Sequence, residues 1–274
     1  PQKSTNGAYP FGNDAKRQWN GNIAVNETIL EVGSAHIYGT VSTNGGTALN
    51  TGNVTGNREN PDDKIRDDFY QEVANVRQPN VPPDPGTPSN VNGTTEFLAK
   101  SGDPSQYLLG TLSLSGKSTL RIRGAADGSA TYAQIVVTSD ISISGQGAIT
   151  LDPGVNLRIF VGGNADITGN GVTNPNSPLN FQLYGIDRPK NADGSPQSPG
   201  SIKIAGNGGF RGAVYAPNYD IEMKGGGNAD TIFGSFVGWN IRMTGGQAVH
   251  YDEALADGGL ISDYKVVSWF EDTR

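Results

Sequence analysis

The chain has 274 residues with 39 glycines, 16 prolines, no cysteine and a formal net charge of −7. Glycine is about twice as frequent as in an average protein, and charged residues are scarcer than usual. This composition excludes a disulfide framework, a cysteine-ligated metal and a thiol nucleophile. The negative charge argues against nucleic acid or an anionic membrane surface as the main partner. Because no run approaches 18 apolar residues, we expect no membrane span.

The N-terminal residues 1–33 are predicted to form a polar arm and a first strand, and residues 34–274 to form one β domain. Residues 34–56 indicate two weaker coils, because Ile37 and Val41 alternate before a glycine-rich corner. No signal peptide is visible and the chain opens at Pro1. We therefore expect a mature or trimmed form.

One helix is predicted, from about Asp62 to Arg77, as a cap on an open side or end of the β domain. Acidic residues occupy its first turn and Arg77 its last, as the helix dipole favours. The apolar residues on its expected buried face are Ile65, Phe69, Val73 and Val76. Residues 79–92 follow with five prolines, which is typical of an extended surface connection.

A five-residue pattern, apolar–x–apolar–x–Gly, recurs through the rest of the chain. Its period of two marks a strand with one buried face, and its closing glycine allows a sharp corner. From Gly145 onward the closing glycines are separated by 18, 22, 21, 19 and 20 residues. The eight copies are 112–116, 120–124, 141–145, 159–163, 181–185, 202–206, 221–225 and 241–245.

A unit of about 20 residues with two or three short strands is typical of one coil of a β-solenoid. Segments 212–216 and 234–238 occupy matching places as second strands of two such units. The sequence therefore predicts an all-β, single-stranded, right-handed parallel β-helix with one capping α-helix, right-handedness being the default for parallel crossovers. An antiparallel sandwich, which also has short strands at regular spacing, is the alternative.

Three charged residues share one position in successive units, three residues before the closing glycine. Lys203, Glu222 and Arg242 should therefore stack as an outward charge column, with strands about 4.8 Å apart. One interpretation is a polar binding stripe. The favoured one is an ion ladder whose exposed pairs each contribute at most about 1 kcal/mol.

Candidates for catalysis are few. Asp220 and Glu222 flank Ile221 on one outward face, and paired carboxylates are what glycoside hydrolysis requires. Phe160 and Tyr184 are outward aromatic candidates that the spacing does not place in one column. Neither His36 nor His250 has a second histidine at metal-ligand spacing. We therefore predict no catalytic residue, no cofactor and no metal site.

Two further segments complete the chain. Residues 186–200 are predicted to be a loop that projects between two coils, because they are rich in proline, glycine and polar residues. Residues 266–270, with the sequence VVSWF, are predicted to be a final strand or a cap.

The sequences GAVYAPN (212–218) and VHYDEAL (249–255), with GSFVG (234–238) between them, resemble those of a β-helical bacterial envelope-associated domain family of unknown function. That family is often found behind PilX-type, prepilin-like N-terminal segments. The resemblance implies an extracellular or cell-surface structural protein. It makes His250, Tyr251, Asp252 and Glu253 a family signature of unknown role, and offers no catalytic residues.

Three functions follow as expectations. The leading one is a secreted, non-enzymatic structural or adhesive module of the cell surface. The second is a carbohydrate-active β-helix enzyme, a polysaccharide hydrolase or lyase, which an outward column of aromatics and carboxylates in a groove would favour. The third is a subunit of a pilus-like or other surface filament. The expected partners are other copies or filament subunits and, for the enzyme, a polysaccharide.

Overall fold

The computed structural model describes residues 19–26, 29–32, 36–56, 60–205, 210–224, 231–244, 248–252 and 255. Within these residues β-strands dominate, and a short 3₁₀ turn lies at Pro178–Asn180. The strand pairs run parallel. An all-β chain of parallel strands is thus confirmed. Most of the predicted N-terminal arm, and the predicted strand or cap at 266–270, lie outside the described residues.

The first strands in chain order are β1 (Ile23–Ala24), β2 (Ile29–Glu31), β3 (Val41–Ser42), β4 (Thr47–Leu49), β5 (Ile65–Arg66), β6 (Asn90–Val91), β7 (Thr95–Leu98), β8 (Ser105–Leu109), β9 (Thr111–Leu114), β10 (Thr119–Arg123) and β11 (Thr131–Val137). The others are β12 (Ile141–Ile143), β13 (Ala148–Leu151), β14 (Val155–Val161), β15 (Ala165–Ile167), β16 (Gly171–Thr173), β17 (Phe181–Gly185), β18 (Gly200–Ala205), β19 (Phe210–Lys224), β20 (Thr231–Thr244) and β21 (Ala248–His250).

The first five strands form a small paired region ahead of the main body. Strands β1, β3 and β5 make one parallel sheet, and β2 pairs with β4. Ile37 forms a parallel bridge with Val54. Both side chains are buried with Val41, because these apolar residues face the same interior. Residues 34–56 therefore pair in parallel, as the two weak coils predicted there require.

The main body consists of three ladders of parallel strands around one apolar core. Ladder A contains β6, β9, β12, β15 and β18; ladder B contains β7, β10, β13 and β16; ladder C contains β8, β11, β14 and β17. Alternate residues of each strand face inward, so equivalent apolar side chains stack from strand to strand. In ladder A the stacked residues Leu112, Ile141, Ala165 and Ile202 are each at most 2% exposed.

Strand β19 is long because it extends two ladders. Its first half pairs with β17 of ladder C and its second half with β18 of ladder A. Strand β20 repeats this arrangement, with Gly212 opposite Gly234 and Ala216 opposite Gly238. The matching places predicted for 212–216 and 234–238 are therefore confirmed. Between Ala216 and Asp220 the register shifts, at the corner that joins the two ladders.

Tyr219 fills this corner of the core. Its side chain is fully buried, and its hydroxyl donates a hydrogen bond to the Val161 carbonyl oxygen at 2.8 Å. The Arg188 guanidinium lies 4.8 Å from the centre of the ring. A Cβ atom added at Gly185 or Gly200 would collide with the same ring. The ring thus requires two neighbours without side chains.

The Tyr219 phenol makes stability depend on pH in the alkaline range. Burial raises its pKa, and the nearby Arg188 opposes that rise less strongly. Since the native state holds this proton more tightly than the unfolded chain, the contribution to stability is complete below about pH 10 and is lost as the pH rises further. We expect Tyr219→Phe to lose less stability between about pH 9 and about pH 11 in urea unfolding. An equal alkaline loss in both proteins would contradict this.

The turns are less regular than the glycine spacing suggests. In ladder A and its continuation, the inward residues Leu112, Ile141, Ala165, Ile202, Ile221 and Ile241 are separated by 29, 24, 37, 19 and 20 residues. Gly163 and Gly185 follow or end strands of ladder C, so the steps from Gly145 to Gly206 cross between ladders. About 20 residues per coil is therefore wrong before Ile202. It holds afterwards because the last turns contain no strand of ladder B.

The helix predicted from Asp62 to Arg77 is wrong. Strand β5 lies within that segment and pairs with β3, and residues 69–84 have neither helical nor strand hydrogen bonding. The carbonyl oxygens of Lys64 and Arg66 instead accept hydrogen bonds of 2.9 Å from the N–H groups of β3 and the residue after it. Ile65 is 48% exposed, so the helical spacing of apolar residues marks no common face. Tertiary pairing overrides it, aided by β-branched residues that favour extended backbone.

Candidate functional site

The strand register places the predicted charge column on the outer face of ladder A and its continuation. Lys203 lies opposite Glu222, and Glu222 lies opposite Arg242. Asp166 precedes Lys203 in the same column, and their charged groups are 3.7 Å apart. Glu222 pairs with Lys224 of its own strand at 3.0 Å. The charges of this column therefore compensate one another at the surface.

Asp220 and Glu222 both lie on the outer side, while Ile221 between them is buried. Asp220 accepts a hydrogen bond of 2.7 Å from the Asn240 side chain, and Glu222 pairs with Lys224. Each carboxylate is thus engaged with a different neighbour. The geometry favours two surface contacts over a shared catalytic pair.

Removing one charge of this column should have a small effect. We expect Glu222→Gln to change the free energy of unfolding by less than about 1 kcal/mol, because its pair with Lys224 is partly exposed and screened by solvent. Urea unfolding of Lys224→Gln and of the double variant provides the matched controls. A loss above about 2 kcal/mol would instead indicate a buried, tightly coupled charge.

A second charged cluster on ladder B was not anticipated. Arg121 donates two hydrogen bonds to the Asp152 carboxylate, at 2.9 and 3.0 Å. Arg123 pairs with Glu96 at 2.9 Å. The alternating charges at Arg121 and Arg123 were visible in the sequence, but their partners come from neighbouring strands. This cluster, too, is an exposed network of opposite charges.

Outward aromatic residues form a column on ladder C, contrary to the prediction that they do not. Phe160 lies opposite Tyr184, and Tyr184 lies opposite Tyr215. The ring centres of Phe160 and Tyr184 are 4.8 Å apart, and those of Tyr184 and Tyr215 are 6.4 Å apart. Val237 follows in register. We call Phe160, Tyr184, Tyr215 and Val237 the aromatic column.

The segment 69–84, which we call the strap, covers this column. Val76 is buried with Tyr184 and Tyr215, and Val73 packs against the same cluster. The Tyr215 hydroxyl donates to the Ala74 carbonyl oxygen at 2.8 Å.

The strap is also held by the start of the 186–200 loop. The Asp187 N–H donates to the Val76 carbonyl oxygen at 2.8 Å. The Lys190 ammonium donates to the Asn75 side-chain oxygen at 2.6 Å. The aromatic column is therefore closed by the chain's own residues.

The predicted signature run lies beside β20. The His250 ring stacks on Phe233 with 5.1 Å between centres, and the Arg211 guanidinium lies 4.9 Å from the centre of the Phe233 ring. Asp252 is buried, whereas Tyr251 is partly exposed. Glu253 lies outside the described residues. The described part of the run contacts the last strands of the body.

Metal and membrane sites are not seen in the described part of the chain. Its residues contain no group of three or more histidine, cysteine or acidic side chains arranged to hold a metal ion. Among the same residues, no helix has the length and apolar character needed to cross a membrane. The acidic residues from Asp62 to Asp68 are spread along β5 and its flanks, where Asp63 pairs with Arg66.

Comparison with known proteins extends this description. No curated protein and no solved structure matches the chain. Residues 84–258, from the end of the strap past the signature run, match the model of a family described as a domain of unknown function, DUF7305. This match spans all three ladders and more than half of the sequence. The chain therefore belongs to the DUF7305 family.

Proposed function

We propose that the chain is a secreted, non-enzymatic structural or adhesive protein of the cell surface, built as a right-handed β-helix. The helix is supported by the chain order of the strands, which visits ladders A, B and C in turn from β6 to β17. Right-handed crossovers predominate between parallel strands. The cell-surface location rests on the resemblance of 212–218 and 249–255 to envelope-associated domains.

The covered aromatic column is the observation that carries this proposal. A polysaccharide-acting β-helix would need aromatic rings and carboxylates in an accessible groove. Here Tyr184 and Tyr215 are 9% and 7% exposed, because Val76 of the strap packs on them. The outward charges near Glu222 and Arg121 are paired with each other. The described surface is thus organised for stability.

Purified protein tested against a panel of acidic and neutral polysaccharides decides between the two classes. A structural or adhesive protein is expected to release no reducing ends and no unsaturated products, while binding to polysaccharide or cells remains allowed. Asp220→Asn with Glu222→Gln is the matched variant. Product release that this double variant abolishes would establish the enzyme and overturn the proposal.

A filament subunit is the second candidate within the structural class. The observation that favours it is the exposed apolar end of the body at β20, where Ile241 is 43% exposed. Exposed strand edges are templates for pairing with another chain. Electron microscopy of the purified protein would show filaments if this candidate is right, and discrete particles if it is wrong.

A further inference from the structure

The last turn of the body leaves its core uncovered at one end. Three apolar residues of β20 continue the inward positions of β19, yet each is 41–44% exposed, whereas the residues that precede them are at most 1% exposed. The exposed residues are Trp239, Ile241 and Met243, and the buried ones before them are Tyr219, Ile221 and Met223.

The edge of β20 is also half paired. Strand β21 pairs with it from Thr231 to Phe233. For residues 239–244 the described part of the chain provides β19 on one side and no strand on the other. Edges of this kind normally carry a charge, a proline or a covering segment. Arg242 is the one charged residue between 239 and 244.

The opposite end of the body is closed, so the two ends differ. There, Phe97 and Tyr107 stack with 4.1 Å between ring centres. The Tyr107 hydroxyl exchanges hydrogen bonds with the backbone of Leu98, at 2.8 and 2.9 Å. Phe97 is 5% exposed as a result. This closed end offers a poor match for head-to-tail stacking on the exposed end of another copy.

We propose that the chain's own residues 256–274 dock on the open edge of β20 and cover its apolar end. The described chain already returns to this end, since β21 pairs with β20 and Leu255 is buried. Register separations here are 17, 19 and 20 residues. A further turn of that length brings residues 258–261, which include Leu260 and Ile261, beside Ile241.

The sequence after Leu255 has the composition that such a cover needs. Its 19 residues are as many as one turn at this end, and they contain Leu260, Ile261 and the apolar segment 266–270. Burying the three exposed side chains of β20 stabilises the docked state through the hydrophobic effect. The inference rests on the β-helical winding and holds whether or not the protein is adhesive.

Cysteine chemistry tests this in the full chain, which has no cysteine of its own. Ile241→Cys introduces a probe at an inward position of the edge, and Arg242→Cys introduces a control at the adjacent outward position. Each is combined with Leu260→Asp and Ile261→Asp, or with Ser262→Asp as a control for added charge. The rate of alkylation by iodoacetamide is measured by mass spectrometry.

We expect Cys at position 241 to react at least about tenfold faster when Leu260 and Ile261 carry the charges, because the cover must open before the thiol reacts. The Ser262→Asp control and the probe at position 242 should change little. Equal rates at position 241 with and without the Leu260 and Ile261 changes would overturn the proposal. Protection that disappears on dilution, with a dimer in light scattering, would assign the edge to a second copy and also overturn it.

A double variant gives a second readout. Ile241→Cys combined with a cysteine at position 260 or 261 should form a disulfide within one chain, since neighbouring strands bring Cα atoms into disulfide range. Disulfides found only between chains would contradict docking of the chain's own residues.

Discussion

Replacing Tyr219 with alanine is expected to lower the free energy of unfolding by about 3–5 kcal/mol, the range for truncating a large buried aromatic residue. The ring is fully buried at the corner between ladders A and C, and its hydroxyl donates to the Val161 carbonyl oxygen. Gly185 and Gly200 leave a slot shaped for this ring. Its loss leaves a cavity that the stacked strands cannot easily fill. Urea unfolding measures the change.

Tyr132→Ala is the matched control, because Tyr132 is 40% exposed on β11 of ladder C. It should cost less than about 1 kcal/mol. Tyr219→Phe should cost about 1 kcal/mol, since it removes one hydrogen bond and keeps the ring. Similar losses for Tyr219→Ala and Tyr132→Ala would show that the corner does not depend on this side chain.

Replacing Val76 with aspartate should release the strap from the aromatic column. The change puts an uncompensated charge at a site that is 7% exposed and packed on Tyr184 and Tyr215. We expect the free energy of unfolding to fall by about 2–3 kcal/mol. Binding of a hydrophobic dye should rise as the rings become exposed. Hydrogen exchange at Asp187 should quicken, because its N–H donates to Val76.

Asn75→Asp controls for the new carboxylate. Asn75 is exposed, and its side-chain oxygen accepts a hydrogen bond from Lys190 that an aspartate would keep. This variant should retain the stability and the low dye binding of the parent. If Val76→Asp behaves like Asn75→Asp, the strap does not close the aromatic column and the argument against an accessible aromatic groove fails.

The charge column illustrates how far sequence spacing carries. Lys203, Glu222 and Arg242 were aligned by their distance from a closing glycine, and the strand register places them opposite one another. The alignment works there because turns of 19 and 20 residues contain no insertion and no strand of ladder B. It would have failed earlier in the chain, where turns of 24, 29 and 37 residues occur.

The aromatic column was missed for the same reason. Phe160 and Tyr184 stand at different distances from their closing glycines, so the pattern does not align them, although they lie opposite each other in ladder C. The strap was missed because its apolar residues happen to recur at helical spacing. Its extended form depends on packing against Tyr184 and Tyr215, more than 100 residues away in the chain.

The sequence by itself determined the strand class of this protein: alternating apolar residues and closing glycines require parallel-compatible strands with one buried face, wherever those strands lie. It also determined the absence of cysteine and the excess of negative charge. Only the tertiary structure decided which strands are neighbours, that a predicted helix is an extended strap, and that an outward aromatic column is buried. The physical reason is that period and propensity act over a few residues, whereas register, loop insertions and coverage depend on contacts between distant segments.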